Sequence, residues 1–168
     1  MSTSRRHQIA AISLIVLFLL GCEQATDGLQ HNKELVLDVV AAIDEQDYDR
    51  LRELWPEESV HRMVGVPEPM SRDAVIELIQ GFYTAFPDNS HEIHEIVAEG
   101  ELVAVRMTNN ATHQGDFEGT PATGQTISYE AAHIVRFQSG VIREWWLIED
   151  DLGLMLQMGM ELRPIQEQ

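Results

Sequence analysis

Residues 112–124 read Thr112-His113-Gln114-Gly115-Asp116-Phe117-Glu118-Gly119-Thr120-Pro121-Ala122-Thr123-Gly124. Gly115, Gly119, Gly124 and Pro121 are turn and loop formers, so the stretch is a loop. It is not a phosphate cradle, because no helix start with Lys-Ser/Thr follows it. Strands flank it. Leu102–Thr112 precedes it, and Thr126–Phe137 follows. The second of these pairs with Val141–Ile148 through the tight turn Gln138-Ser139-Gly140. Upstream, Glu92–Ala98 is a shorter strand that turns at Gly100-Glu101.

Ahead of these strands the period changes. Leu35, Val36, Val39, Val40 and Ile43 follow helical spacing and predict a helix over about 32–46. Asp47-Tyr48-Asp49 breaks it, and Leu51, Leu54 and Trp55 suggest a short second helix stopped by Pro56. Pro67 and Pro69 make residues 64–70 a loop. Ser71 is a good N-cap with Asp73 in the first turn. Val75, Ile76, Ile79, Phe82, Tyr83 and Phe86 form the apolar stripe of a third helix, which Pro87 ends. A last helix rich in Leu and Met covers about 151–160. Helices followed by a run of antiparallel strands give an α+β fold, not a doubly wound parallel sheet.

Residues 1–22 stand apart. Arg5 and Arg6 precede the apolar run Ile9–Leu20, and Leu19-Leu20-Gly21-Cys22 reads as a lipobox. The run is short for a membrane span, which needs about 20 residues. Cys22 is the only cysteine, so no intrachain disulfide can form, and lipidation is its expected role. An uncleaved anchor is the plainer alternative. Glu23 rather than Asp after the cysteine favours lipid anchoring in the outer membrane, facing the periplasm. Residues 23–31 are then a tether, 32–162 the folded domain and 163–168 a tail. Cleavage removes Arg5 and Arg6 and no acid, taking the net charge from −17 to −19. Such a charge disfavours nucleic acid, whose phosphates need a basic face. It equally disfavours electrostatic docking on anionic lipid, and reads as a solubility feature.

A further signal follows the loop: Ile142-x-Glu144-x-Trp146-x-x-x-Asp150, then Leu152-Gly153-Leu154. With the T-H-x-G-x-F-x-G-x-P-x-T-G run, Phe86-Pro87-Asp88, Val97-Ala98-Glu99-Gly100 and Arg136-Phe137, the chain resembles the SnoaL-like polyketide cyclases, also called ester cyclase-like proteins. The resemblance covers about residues 33–160. It implies a curved antiparallel sheet wrapped around the N-terminal helices, forming a cone with an internal pocket. It also implies a small apolar or carbonyl-containing molecule as partner and no cofactor. Homodimers through the outer sheet face are an assembly that it allows.

Site residues follow from both readings. On a strand without a bulge, Ile142, Glu144, Trp146, Ile148 and Asp150 share one face, and its apolar members suggest that it points inward. An acid there is desolvated and exchanges protons near neutral pH. The family uses an Asp at the matching position as general acid/base for an intramolecular aldol closure. The alternative is an Asp150 that caps the last helix. His113 either bonds a substrate carbonyl or ties the strand end to the loop. His133, with Ala131 and Val135 on its face, is a pocket donor or a satisfied core group. His61 follows the second helix, where the family often places a pocket histidine. Met63, however, stands where the family commonly has an acid. Trp146, Phe82, Tyr83 and Phe86 are candidates for substrate contact as well as core. Arg106 is a candidate to steer an enolate, or a surface ion pair.

No metal site is expected. His91 and His94, three apart on a strand, fall on opposite faces, and His91-Glu92-Ile93-His94 is not H-E-x-x-H. A serine nucleophile elbow is also missing. Three functions stay open on this fold: a cofactor-free cyclase or isomerase acting beside a carbonyl, a binding lipoprotein without turnover, and an assembly module.

Overall fold

A computed structural model describes residues 26–161 and 163. The expected lipidation site Cys22 lies outside the described residues, as do all of 1–25 and most of the tail. Residues 26–44 are helical and form α1. The spacing predicts a start near 32, yet Leu29 is already half-buried and Asn32 buried, so the helix has a packed face earlier. Val36, Val39, Val40 and Ile43 are its buried stripe. Each large apolar group so buried contributes roughly 1.5–3 kcal/mol.

Gln46 turns the chain with a φ of 55°. Asp47 then caps α2 (Tyr48–Leu54), its carboxylate accepting from Arg50 N–H at 2.9 Å. Strand β1 (Val60–Met63) and the two-residue β2 (Met70–Ser71) follow. Ser71 caps α3 (Arg72–Ala85), accepting from Ala74 N–H at 3.3 Å, and the helix stops before Pro87 as expected. The rest is β3 (Ser90–Glu99), β4 (Leu102–Thr112), β5 (Thr126–Gln138), β6 (Val141–Glu149) and α4 (Asp151–Gln157). Helix α4 ends short of 160 because Gly159 sits at φ +91°.

The six strands form one sheet in the order β2-β1-β6-β5-β4-β3. This is the expected α+β architecture, with one correction. The sheet is antiparallel except where β1 pairs with β6 in parallel, Val60 opposite Glu144 and Met63 opposite Leu147. Val103, Val105 and Met107 of β4 face inward with Val135 and Phe137 of β5, and the main core lies between them and α1 to α3. A second core joins Phe86, Ala111, Ile127, Tyr129, Leu154 and Met158 where α4 closes one end.

Two bulges bend the sheet. One falls between Ile93 and Glu95, the other on β6, where Arg136 faces Glu144 but Phe137 faces Ile142. Arg143 is therefore an extra residue, and a one-residue slip exchanges the faces of everything beyond it. The expected shared face of Ile142, Glu144, Trp146, Ile148 and Asp150 is thus corrected. Ile142 and Trp145 are buried inside, while Trp146 lies on the outer side with Arg136 5.6 Å from its ring centroid. No helix among the described residues is long and apolar enough to cross a membrane.

Candidate functional site

A cavity of about 550 Å³ lies between the inner sheet face, α3, α4 and the 116–118 segment. Its size suits a small organic molecule. The apolar part of its wall includes Trp55, Val75, Ile79, Phe82, Trp145 and Leu147. The polar part includes His61, His91, Asn109, Tyr129, His133 and, at the β6–α4 junction, Glu149 and Asp151.

The 112–124 loop builds one lip. Gln114 and Gly115 N–H both donate to the Ala85 carbonyl at the end of α3, at 2.8 and 3.0 Å. Gly115 must be glycine for this approach, since a Cβ would fall 2.5 Å from the Thr84 carbonyl oxygen. Phe117 and Thr120 pair across Glu118 and Gly119, both at positive φ. This tight turn carries Phe117 onto Phe82 and Phe86 and into the cavity wall. His113 is fully buried, stacks on Phe86 and meets Thr123 Oγ1 through Nδ1 at 3.0 Å. That is the strand-to-loop tie. Neither His113 nor Phe86 lines the cavity.

His61 lies against Trp55, ring centroids 4.6 Å apart, with Nε2 3.1 Å from Ser59 Oγ. Burial lowers its pKa to about 4, so it is a neutral imidazole at pH 7. His133 is 4 % exposed, neither ring nitrogen has a hydrogen-bond partner among the described residues, and Nε2 stands 3.5 Å from Glu149 Oε1. A buried polar group left unpaired is costly, so these nitrogens are poised to bond whatever enters.

Three consecutive acids stand where β6 passes into α4, and they face differently. Glu149 and Asp151 line the cavity. Burial raises the Asp151 carboxyl, and the charges of Glu149 and then Asp150 add to that. Asp150 instead caps α4. Its carboxylate accepts from Gly153 N–H at 2.8 Å, its residue is exposed, and it does not line the cavity. Burial likewise raises the Tyr129 phenol, with the Glu149 charge adding and Asn109 opposing as a hydrogen-bond partner.

The remaining expected positions divide. Phe82 and Tyr83 line the cavity with His61 and His133. Trp146 does not, because the bulge turns it outward, and Trp145 takes the inner place. Arg106 is on the outer face, bonded to Glu95 at 2.6 Å and Glu130 at 2.8 Å, so it steers nothing in the cavity.

Residues 33–158 match the family described as SnoaL-like polyketide cyclase. The chain belongs to that family. It is 31% identical over 94 residues to aklanonic acid methyl ester cyclase DnrD of Streptomyces peucetius, a match covering 55% of this chain and 65% of that one. The match thus spans just under two thirds of that relative's length. Among solved structures, AclR of Streptomyces galilaeus, a proposed hydroxylase, is 33% identical with a TM-score of 0.71 over 78% of this chain and 97% of its own. IdmH of Streptomyces antibioticus, a proposed polyketide cyclase, is 27% identical with a TM-score of 0.71 over 77% of this chain and 99% of its own.

Within this SnoaL-like domain the sequence reading missed Glu149, Asp151, Trp145, His91, Asn109 and Tyr129 as cavity residues. For the first three a single bulge was the cause. His91, Asn109 and Tyr129 carried a legible signal, since each sits at an inward position of an alternating strand.

Proposed function

We propose that the cavity is the active site of a cyclase-type enzyme acting by acid/base chemistry on a small carbonyl compound. The observation that carries this is the Glu149–Asp151 pair. Two carboxyls share one cavity wall, and burial, then the charges of Glu149 and Asp150, raise Asp151 above its ordinary value, which favours its holding a proton as an acid. In this reading Asp151 protonates the alkoxide formed when an enolate carbon closes on a carbonyl. The charge of Glu149, which has His133 beside it, favours the protonated form of Asp151, and solvent restores the Asp151 proton for the next turnover. The cyclase name of the S. peucetius relative supports the reaction class.

The test is deuterium incorporation from D₂O next to the carbonyl of aklanonic acid methyl ester and of simple cyclic β-diketones. The wild type accelerates it and cyclises the ester, and Asp151→Asn and Glu149→Gln lose most of the cyclisation rate, on the order of 10²-fold. Equal rates for all three proteins would sink the reading.

One observation favours the second reading, a binding protein without turnover: Asp150, at the family-matching position, serves as a helix cap. Tight capture of a carbonyl compound without deuterium exchange would select it.

Export and lipid anchoring through Cys22 complete the proposal, supported by the pattern of residues 1–22. So does a homodimer through the outer sheet face, supported by the apolar strip of Leu102, Ile134, Trp146 and Ile148 there. A monomer by sedimentation at micromolar concentration would remove the dimer.

A further inference from the structure

A polar row crosses the inner sheet face. The β3–β4–β5 register sets His91 opposite Asn109, and Asn109 opposite Tyr129. Adjacent strands are about 4.8 Å apart, so the three side chains are neighbours on the cavity wall. Asn109 is 1 % exposed, and its Oδ1 has no partner among the described residues.

Behind His91 stands Asp44, the end of α1. Its Oδ1 is 2.5 Å from His91 Nδ1, and its Oδ2 accepts from the His91 backbone N–H at 3.3 Å. Tyr83 Oη donates to the same carboxylate at 3.4 Å. A carboxylate only accepts, so Nδ1 is the donor, and in the neutral ring Nε2 is then the nitrogen with the lone pair. No protein group among the described residues bonds Nε2. The ring lines the cavity, with its side chain 8 % exposed. A histidine fixed at one nitrogen by an acid and unpartnered at the other is an arrangement for moving protons.

We propose that His91 is a general base of this cavity and that Asp44 is its positioning residue. The substrate class is a small carbonyl-activated carbon acid. Nε2 takes the C–H proton, the C–H electron pair forms the enolate, and the carbonyl π pair moves to oxygen. The Asn109–Tyr129 side of the row lies next to His91 to receive that oxygen, with the Tyr129 hydroxyl as donor. Asp44 stabilises the imidazolium. The proton then leaves to solvent, while the Glu149–Asp151 end protonates the alkoxide. This rests on the active-site reading above and supplies the base that it leaves unnamed.

The test uses 5-nitrobenzisoxazole. Removal of its ring C–H proton breaks the N–O bond and releases a coloured cyanophenolate, so it needs a base and no acid. The wild-type chain should open it faster than the same concentration of free imidazole. His91→Asn keeps an N–H for Asp44 but has no base, and should lose about 10²-fold or more. Arg106→Gln, on the outer face, should keep the full rate. Asp44→Asn should lower kcat and move the His91 ¹⁵N signals toward the Nε2–H tautomer, a change that loosened packing alone would not give. A His91→Asn variant that melts like wild type and retains its rate overturns the proposal, as does a wild type no faster than imidazole. If His91→Asn keeps the rate while Glu149→Gln loses it, the base is the carboxyl pair and the active-site reading survives. Loss in His91→Asn without deuterium exchange on carbonyl compounds would instead keep the base and discard that reading.

Discussion

Gly153 and Asp150 approach so closely that a Cβ on the glycine would fall 2.1 Å from the Asp150 carboxylate. The glycine is there so that its N–H can reach the cap at 2.8 Å. Gly153→Ala should displace the carboxylate and fray α4, despite alanine's better helix propensity. Asp150→Ala removes the same bond and should cost about 1 kcal/mol. Urea unfolding of both variants checks this, and a stabilised Gly153→Ala would contradict the geometry.

Asp150→Asn should be nearly silent in stability, because Asn caps a helix about as well as Asp. It should also retain cyclisation of the test ester, whereas Asp151→Asn should lose it. A folded Asp150→Asn without cyclisation would return the acid role to Asp150, the position the family resemblance implies.

His61 makes the fold sensitive to acid. Its folded pKa of about 4 lies below the ordinary histidine value of 6.5, so the unfolded chain binds the proton more readily. The neutral ring's contribution is therefore complete above pH 6.5 and disappears as the pH falls toward 4. That difference corresponds to roughly 3 kcal/mol at most. His61→Phe should flatten the loss of stability between pH 7 and pH 4.5, read from paired denaturation curves. An unchanged slope would place the acid sensitivity elsewhere.

Gly115→Ala tests the lip of the cavity. Its Cβ would stand 2.5 Å from the Thr84 carbonyl oxygen and 2.9 Å from Ala85 Cα, both backbone atoms that cannot swing aside. A cost of about 1–3 kcal/mol is expected from such overpacking. Phe117 should move with the loop, so any ligand affinity should drop as well. A normal melting temperature would mean that the loop adjusts freely.

Cys22→Ala should abolish incorporation of labelled palmitate in a bacterial host and release the chain from the membrane fraction. Persistent membrane association without label would favour the uncleaved apolar segment as anchor instead.

Much of this fold could be read from periodicity. The α3 stripe, its Ser71 cap and its Pro87 stop were legible, as were the long strands on either side of the 112–124 loop. β1 was not, because Val60–Met63 is four residues whose partner β6 lies some eighty residues later, and local pattern holds no trace of so distant a pairing. The site was half legible. His133, Phe82 and Tyr83 stand out by residue type and position and His61 by the family resemblance, and all four line the cavity. Glu149, Asp151 and Trp145 were hidden by Arg143, since alternation counts residues and cannot see that one has been looped out. The Asp44–His91 pair joins a helix end to a strand, a juxtaposition that only the folded chain creates.

The looped-out Arg143 also means that β6 keeps its faces by pairing and not by count. Glu144 sits opposite Arg136 and Trp145 opposite Val135, and β5 has no gap between Arg136 and Phe137. A single-codon deletion at Arg143 would therefore remove the bulge and leave Trp145, Leu147 and Glu149 on the cavity side. An insertion of this kind is a seam in the strand. It can be opened or closed in one step, and what changes with it is the local bend of the sheet, not the set of side chains turned toward the cavity.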